Sequence, residues 1–282
     1  MPSRKAIKRR IASVKATKQI VKAMNMVAAT KLQRMKTRML AARPMFNEAQ
    51  RIMQQIKSCE SAAENPFFAQ RTGNKAAYVI MTSNRGLCGS YNSNITQAAL
   101  AHMKENDKDA TIIAVGLRGR DYLQRHKKQV LEAYNEMAKT ASYEDAKKLS
   151  DMVIELYTSG EVDEVYVAYT QFESVLVQVP QVVRLLPLAD DEDDSAAELG
   201  SKYEPDINTF LDYAVPAYVK AFMYGALLEA NVSKQAARMV SMDSATKNAS
   251  DIIDDLTHMY NRKRQASITQ EISEIVSGTN IS

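Results

Sequence analysis

The sequence predicts an α/β fold combined with a long coiled coil, in which helices from the two ends of the chain pair antiparallel and an α/β domain is inserted between them. Three observations indicate this fold class. Apolar residues recur in alternating steps of three and four near each end, and short β-branched runs alternate with helical patterns in the middle. A chain of 282 residues, 45% apolar and 25% charged, is long enough to bury such a core.

The first helix, predicted over residues 1–58, carries one continuous stripe that we call the N-terminal seam. Its positions are Ile7, Ile11, Val14, Lys18, Val21, Asn25, Ala28, Leu32, Met35, Met39, Ala42, Phe46, Ala49, Met53 and Ile56. A repeat kept over about seven heptads is typical of a left-handed coiled coil. Lys18 and Asn25 are the two polar breaks, and Pro44 removes one helical hydrogen bond, so we expect a local bend there.

The last helix, predicted over residues 206–282, supplies the partner stripe, which we call the C-terminal seam. Its positions are Met239, Met242, Thr246, Ala249, Ile253, Leu256 and Tyr260. The two helices would reach roughly 75 Å and 105 Å. Because the α/β domain is inserted between them, they must run antiparallel, and the longer helix is expected to overhang the shorter one by several turns.

Residues 75–188 are predicted to form the inserted globular domain, with a Rossmann-like order of elements. Three strands and three helices alternate, with strands at 76–83, 110–116 and 162–172 and helices at 93–104, 118–126 and 143–159. This order predicts a largely parallel sheet. Residues 174–188 add a hairpin partner in which Pro180 favours an edge strand or a bulge. The acidic segment 189–205 is predicted to be a solvated loop, with an interaction site as the alternative.

Positive charge is concentrated in the first helix. The thirteen Lys and Arg residues between Met1 and Arg43 face no acidic residue, and the rest of the chain has a net charge of −9. We define the basic surface of this helix as Arg9, Arg10, Lys15, Lys18, Lys22, Lys31 and Arg34. One interpretation is non-specific binding of duplex DNA. No groove-reading motif accompanies the charges, which disfavours that interpretation.

Signatures of catalysis and of metal binding are absent from the sequence. No GxxxxGK[ST] phosphate loop and no HExxH motif occurs, and His102, His126 and His258 are scattered. Cys59 and Cys88 lie outside any CxxC pair, which argues against a zinc site and predicts free thiols in a reducing compartment. We therefore expect no catalytic residue, no metal and no cofactor.

The loop SNRGLCGSYNSN at residues 83–94 leaves a strand and enters a helix. Backbone N–H groups at such a place bind phosphate in many proteins, and a nucleotide-using enzyme is one interpretation. Gly86 and Gly89 are equally explained by a tight turn that needs positive φ, which we favour. Cys88 is interpreted as a small buried side chain rather than a nucleophile, because no His adjoins it.

Two helical segments leave alternatives open. Met24 and Met26 cannot both face the seam, so apolar residues lie on more than one side of the helix over residues 20–27. Their flexible thioethers suit either core packing or a surface that repacks against changing neighbours. Arg262 to Arg264 form a basic turn where the C-terminal seam ends, which indicates either a solvated turn or a different neighbour.

Apolar runs in this chain fall short of the roughly 18 residues that a membrane span needs, so no direct span is expected. The seam also continues too far for the N-terminus to be a transit peptide. We interpret Met1 as the start of the working protein, which fits a bacterium better than a processed organelle chain.

Three stretches carry a resemblance to a known family. They are RRIASVKATKQIVKAMNMVAATKLQR, SNRGLCGSYN and RMVSMDSATKNASDIIDDLTHMYNRKRQASITQEISEIVSG, and with them essentially the whole chain resembles the gamma subunit of F-type ATP synthases. The resemblance implies a non-catalytic central rotor shaft. Such a shaft couples ion-driven rotation of the membrane c ring to conformational cycling of the catalytic beta subunits, for ATP synthesis or hydrolysis.

The resemblance also implies partners and a location. The partners are a ring of three alpha and three beta subunits, the epsilon subunit and the c ring, with no nucleic acid. The expected location is peripheral, on the cytoplasmic side of the bacterial inner membrane. The plant chloroplast type has an inserted redox-active cysteine pair that this chain lacks, so control by thiols is not expected.

Individual residues receive expected roles from the same resemblance. Arg264 and Gln265 match the family's contact with beta-subunit loops, and Met24 matches the position near the beta lever. The basic surface would face acidic parts of the ring. Arg85, Tyr203 and Glu204 would contact epsilon or the c ring. The shaft tip, which would sit in an apolar sleeve of the ring, consists of Ile268, Ile272, Ile275 and Val276.

Overall fold

The computed structural model describes residues 3–57, 65–188 and 207–279. The elements in chain order are α1 (Arg4–Lys57), β1 (Lys75–Met81), α2 (Tyr91–Glu105), β2 (Asp109–Val115), α3 (Leu117–Arg125), β3 (Val130–Tyr134), α4 (Met137–Thr140), α5 (Tyr143–Thr158), β4 (Glu164–Phe172), β5 (Gln178–Leu186) and α6 (Ile207–Thr279). The fold class predicted from the sequence, two long terminal helices with an α/β sheet between them, is confirmed.

The packing of the backbone divides the chain into two compact units. The first consists of Met1–Ala29 and Met239–Ser282, and the second is Thr30–Arg238. Both divisions fall inside the long helices, so each unit contains one segment of α1 and one of α6. The predicted domain boundaries at 1–58, 75–188, 189–205 and 206–282 stay a prediction. Cys59 and the acidic loop lie outside the described residues.

The sheet of the second unit has the strand order β3-β2-β1-β4-β5. β1 pairs in parallel with β2 and β4, and β2 pairs in parallel with β3. β5 is antiparallel to β4 at one edge, where Pro180 is opposite Thr170. Because an edge strand tolerates a missing N–H, the edge placement of Pro180 is confirmed. Strand β3 and the single turn α4 were not predicted.

Strand β1 is the centre of the core of this unit, because six of its seven residues are buried. Alternate residues of β1 point to one face, where α2 and α3 cover Tyr78 and Ile80 with Ile95, Met103 and Leu123. Helix α5 begins at a capping box, in which Asp145 N–H donates to Ser142 Oγ and Ser142 N–H donates to the Asp145 carboxylate. These caps satisfy backbone groups that the first turn leaves free.

The middle of α6, within the second unit, is buried on all sides. Every residue from 218 to 236 is buried or half-buried, as expected for a helix that is apolar on all sides. Helix α1 approaches it closely, with the rings of Phe46 and Phe222 5.6 Å apart. Gly225 permits this approach, because a Cβ there would lie 3.0 Å from the Phe46 ring.

The seams predicted from the sequence coincide with the buried stripes of both helices. All fifteen positions of the N-terminal seam and all seven of the C-terminal seam are buried or half-buried. In the first unit Ile7 is 2% exposed and Ala28 is 1% exposed. The two seams are therefore confirmed, including their polar members Lys18 and Asn25, which are half-buried.

A matched pair of leucines on α1 tests the seam. Leu32 is 7% exposed, whereas Leu40 on the same helix is 48% exposed. We expect Leu32→Ala to lower the free energy of unfolding by about 2–4 kcal/mol, because the lost side chain leaves a cavity. Leu40→Ala should change it by less than about 1 kcal/mol. Urea unfolding followed by circular dichroism measures both, and equal losses would contradict the seam assignment.

Candidate functional site

The coiled coil of the first unit is fixed in register by a polar contact. Asn25 Nδ2 donates to the carbonyl oxygen of Met239 over 3.5 Å. In an antiparallel pair this contact brings Lys18 level with Thr246, so the second polar break of the N-terminal seam faces the polar position of the other seam. A polar residue in a seam specifies register at some cost in stability.

The same register determines where the two-helix overlap ends. The first residue of α1, Arg4, is level with Tyr260, the last position of the C-terminal seam. Residues 261–279 continue as helix with no residue of α1 across from them. That overhang is roughly 28 Å long. The predicted overhang of the C-terminal helix by several turns agrees with this register.

The basic surface is presented outward along α1. Six of its seven side chains are exposed, and Lys18 in the seam is half-buried. Helix α1 contains no acidic residue before Glu48. Among the residues that the structure describes, no ion pair joins the basic surface to an acidic side chain. The surface therefore retains its full charge, and an acidic partner would be attracted from a distance.

Apolar side chains also face solvent on the coiled coil. Ile20, Met26 and Val27 are 61%, 65% and 55% exposed, and Met24 between them is half-buried. The structure therefore separates Met24 from Met26, as expected from their spacing. An exposed apolar group of this kind marks a contact surface when its members lie together.

The overhanging end of α6 holds the predicted contact and tip residues. Arg264 and Gln265 are exposed. Ile268, Ile272 and Ile275 are 44%, 56% and 67% exposed. The side chain of Val276 lies outside the described residues, as do Tyr203 and Glu204. The predicted roles of all these residues stay predictions.

The loop after β1 is a compact polar turn with a buried thiol. Cys88 is 1% exposed, and Asn92 Nδ2 donates to its sulfur over 3.2 Å. Ser83 Oγ donates to the carbonyl oxygen of Arg85 over 2.6 Å. Gly89 has a positive φ of 56°, as expected, but the second positive φ belongs to Leu87 rather than to Gly86. The interpretation of Cys88 as a buried side chain is confirmed.

The arrangement offers no catalytic cluster within the part of the chain that the structure describes. His102 bonds to the hydroxyl of Tyr78 over 2.8 Å, and His126 stacks on Tyr122 with ring centroids 4.3 Å apart. His258 is exposed on α6. No group of three or more His, Cys, Asp or Glu side chains among these residues is placed to hold a metal ion.

Sequence reasoning missed two ionisable groups inside α6. Lys234 is 6% exposed and donates to the carbonyl oxygen of Ala138. Burial, with the nearby charges of Arg238 and Lys31, lowers the pKa of Lys234 to about 7. Burial raises the pKa of Glu229, whose Oε2 has no hydrogen-bond partner within the described chain. The sequence did contain a signal for their burial, because both charged residues lie within the apolar run 214–236.

Within the described ranges, no helix is long and apolar enough to cross a membrane.

Comparison with known proteins identifies relatives along the whole chain. A family model described as ATP synthase matches residues 3–280. The ATP synthase gamma chain of Pelotomaculum thermopropionicum is 40% identical over 279 residues, which cover 99% of this chain and 98% of that protein. The ATP synthase gamma chain of Alkaliphilus metalliredigens is 40% identical over 278 residues, with 96% of each chain covered.

Solved structures share the fold at lower identity. A chain of the Tetrahymena thermophila mitochondrial ATP synthase, central stalk and c-ring, aligns with a TM-score of 0.63 and 24% identity over 80% of this chain and 99% of that one. A chain of the Euglena gracilis mitochondrial ATP synthase, in rotational state 3, aligns with a TM-score of 0.68 and 18% identity over 98% and 93%.

The exposure of the overhanging helix can be tested on the full chain. Ile272→Gln should change the free energy of unfolding by less than about 0.5 kcal/mol, because its side chain faces solvent. Leu256→Gln, at a seam position that is 9% exposed, should lower it by about 2–4 kcal/mol. Thermal unfolding followed by the helical signal measures the difference. A loss at Ile272 as large as that at Leu256 would show that the tip is packed in the isolated chain.

Proposed function

This chain belongs to the ATP synthase gamma-chain family, and from that premise we propose that it is the central rotor shaft of a bacterial rotary ATP synthase. In this proposal the shaft couples ion-driven rotation of the membrane c ring to conformational cycling of the catalytic beta subunits. The chain forms no bond itself and needs no cofactor. It acts at the cytoplasmic side of the bacterial inner membrane.

The observation that carries the proposal is the outer surface of the coiled coil. The apolar residues that pair the helices are buried in the seams, whereas the basic surface of α1 is exposed and unneutralised within the described residues. A charged, shallow surface attracts a partner over a wide range of angles, since the Coulomb interaction falls slowly with distance. Deep apolar contacts along the same length would hold the shaft in one orientation.

The partners follow from this division of surfaces. The basic surface is proposed to face acidic parts of a ring of alpha and beta subunits. Met24, Arg264 and Gln265 are proposed contacts of beta-subunit loops, and the shaft tip is proposed to turn in an apolar sleeve. Ile268 and Ile272, which are exposed on the overhanging helix, support the sleeve. Arg85 is proposed to contact epsilon or the c ring.

Assembly is the first test of this function. The chain is purified from its cell under native conditions at moderate salt, and the mass of the complex is measured by native mass spectrometry. We expect a mass equal to one copy of this chain with three alpha and three beta subunits. Recovery of the chain alone, or with nucleic acid that is lost as salt rises, would contradict the proposal. The second outcome would favour the DNA-binding interpretation of the basic surface.

Charge reversal at Arg264 tests the proposed beta contact. Arg264→Glu should lower ATP-driven ion pumping by roughly tenfold or more, because it replaces a charge-assisted contact with repulsion. Arg262→Glu makes the same charge change two residues away on another side of α6, and we expect it to retain most of the pumping. Pumping into inverted membrane vesicles and the helical signal of the purified chain are measured for both. Full pumping by Arg264→Glu would exclude the contact.

A further inference from the structure

A basic pocket lies inside the second unit, where four elements meet. It has a volume of about 360 Å³ and is lined by α1, the loop after β1, α4 and α6. Among the described residues, no acidic side chain lines it and six basic ones do, namely Lys31, Arg34, Arg85, Lys139, Lys234 and Arg238. Such a concentration of one charge in a concave site costs folding free energy unless a ligand compensates it.

Within the described residues, one of the six cations forms an ion pair. Lys139 forms an exposed ion pair with Glu136 over 2.6 Å. Across the described ranges 3–57, 65–188 and 207–279, the other five make no ion pair with an acidic residue. Lys31 and Arg34 find no ion-pair partner on their own helix, because α1 has no carboxylate before Glu48.

Hydrogen bonds donated by two arginines, Arg238 and Arg38, hold the walls of the pocket together. Arg238 donates to Gln235 Oε1 over 2.9 Å and to the carbonyl oxygen of Arg85 over 3.3 Å, which ties α6 to the loop after β1. Arg38 on α1 donates to the carbonyl oxygens of Thr140 and Ala141 over 3.3 Å and 3.1 Å. Arg238 is therefore positioned before any ligand arrives, and the backbone around the pocket is tied together, which lowers the entropic cost of binding.

Lys234 differs from the other cations because it is 6% exposed. Its ammonium donates to a single carbonyl oxygen, that of Ala138. An ammonium group carries three donors, so a buried lysine in this state has capacity for an anion. A buried cation in a concave site is reached by a small ligand and not by a flat protein surface.

We propose that this pocket binds a small polyvalent anion of the phosphate class, namely a chain of two or more phosphate groups, either free or as part of a nucleotide. Guanidinium groups such as those of Arg34, Arg85 and Arg238 match the geometry of phosphate oxygens and bind them in bidentate fashion. A ligand with several negative charges compensates more of the five basic side chains that lack an ion pair within the described residues than a monovalent anion would.

A single acidic side chain of a partner protein matches the pocket less well. One carboxylate brings one negative charge, which leaves most of the five cations uncompensated. The inference is independent of the proposed rotor function, since it rests on the geometry of the second unit alone. Lys31 and Arg34 also belong to the basic surface, so a bound anion would alter the charge of that surface.

The primary experiment is isothermal titration calorimetry of the full chain with pyrophosphate and with ADP at constant ionic strength. We expect saturable binding of one anion per chain, with Arg34→Gln weakening it about ten- to a hundredfold. Lys147→Gln removes the same charge from an exposed position on α5 and should leave the affinity unchanged. The tighter of the two probes distinguishes a free phosphate chain from a nucleotide.

Three results would overturn the proposal. They are no saturable binding of either probe, equal affinities for the wild type and Arg34→Gln, or tighter binding of a glutamate peptide than of pyrophosphate. The last would make the pocket a protein contact. Because Arg34 is exposed, its substitution leaves the fold intact, and circular dichroism checks this directly.

The pH dependence of binding provides a second readout. The pKa of Lys234 near 7 means that a bound anion favours its protonated form, so sulfate affinity should rise as pH falls from about 9 to about 6. Sulfate keeps its charge in this range. The charged or titratable groups that act on Lys234 are Arg238 on α6, Lys31 on α1 and the Cys88 thiol after β1. Arg34 on α1, Arg85 after β1 and Lys139 on α4 line the same pocket.

Substitution of the lysine isolates its part in this dependence. Lys234→Met keeps the length of the side chain and should lose most of the rise in sulfate affinity at low pH. An unchanged pH profile in this variant would exclude Lys234 from the site. If Lys234→Met fails to fold, Arg34→Gln and Arg85→Gln still decide the proposal, because both side chains are exposed.

Discussion

The pairing of the two seams is the interaction on which the structure depends. A helix as long as α1 or α6 gains most of its stability from burying one face rather than from intrinsic propensity. The partner face comes from the opposite end of the chain, so the pairing is possible only after the inserted sheet returns the chain. This single requirement makes the coiled coil antiparallel and, in the first unit, leaves the outer faces of both helices exposed.

These exposed faces explain why the charge of the chain is segregated. Cations on α1 are tolerated because the seam that holds the helix in place is apolar and is buried separately from them. Lys18 and Asn25 are exceptions inside the seam, and both are half-buried rather than excluded from it. A seam of aliphatic residues alone would be more stable, but it would allow the helices to slip, because every register would look alike.

The long helices could be predicted from the periodicity of their apolar residues. Features that depend on packing between distant parts of the chain could not. The seams and the main strands follow from local repeats, which survive in any tertiary context. Strand β3 was missed because its five residues are half-buried or exposed and include Glu132. The glycine pattern placed a positive φ at Gly86 that the structure has at Leu87. The burial of Lys234 depends on Ala138, which is distant in sequence, and the only local signal was a charge within an apolar run. The predicted partner contacts follow neither from local repeats nor from packing within this chain, since they depend on the surfaces of other subunits.

One feature of composition has two structural consequences. Because α1 carries no carboxylate before Glu48, its cations up to Arg43 cannot be neutralised within the helix by neighbours three or four residues away. On the coiled coil this leaves an exposed basic surface. In the second unit it leaves Lys31 and Arg34 without an ion pair among the described residues, beside Lys234, whose burial makes its charge costly. A chain selected only for stability would place an acid at either location, so the absence of acids from both implies that the charge itself is used.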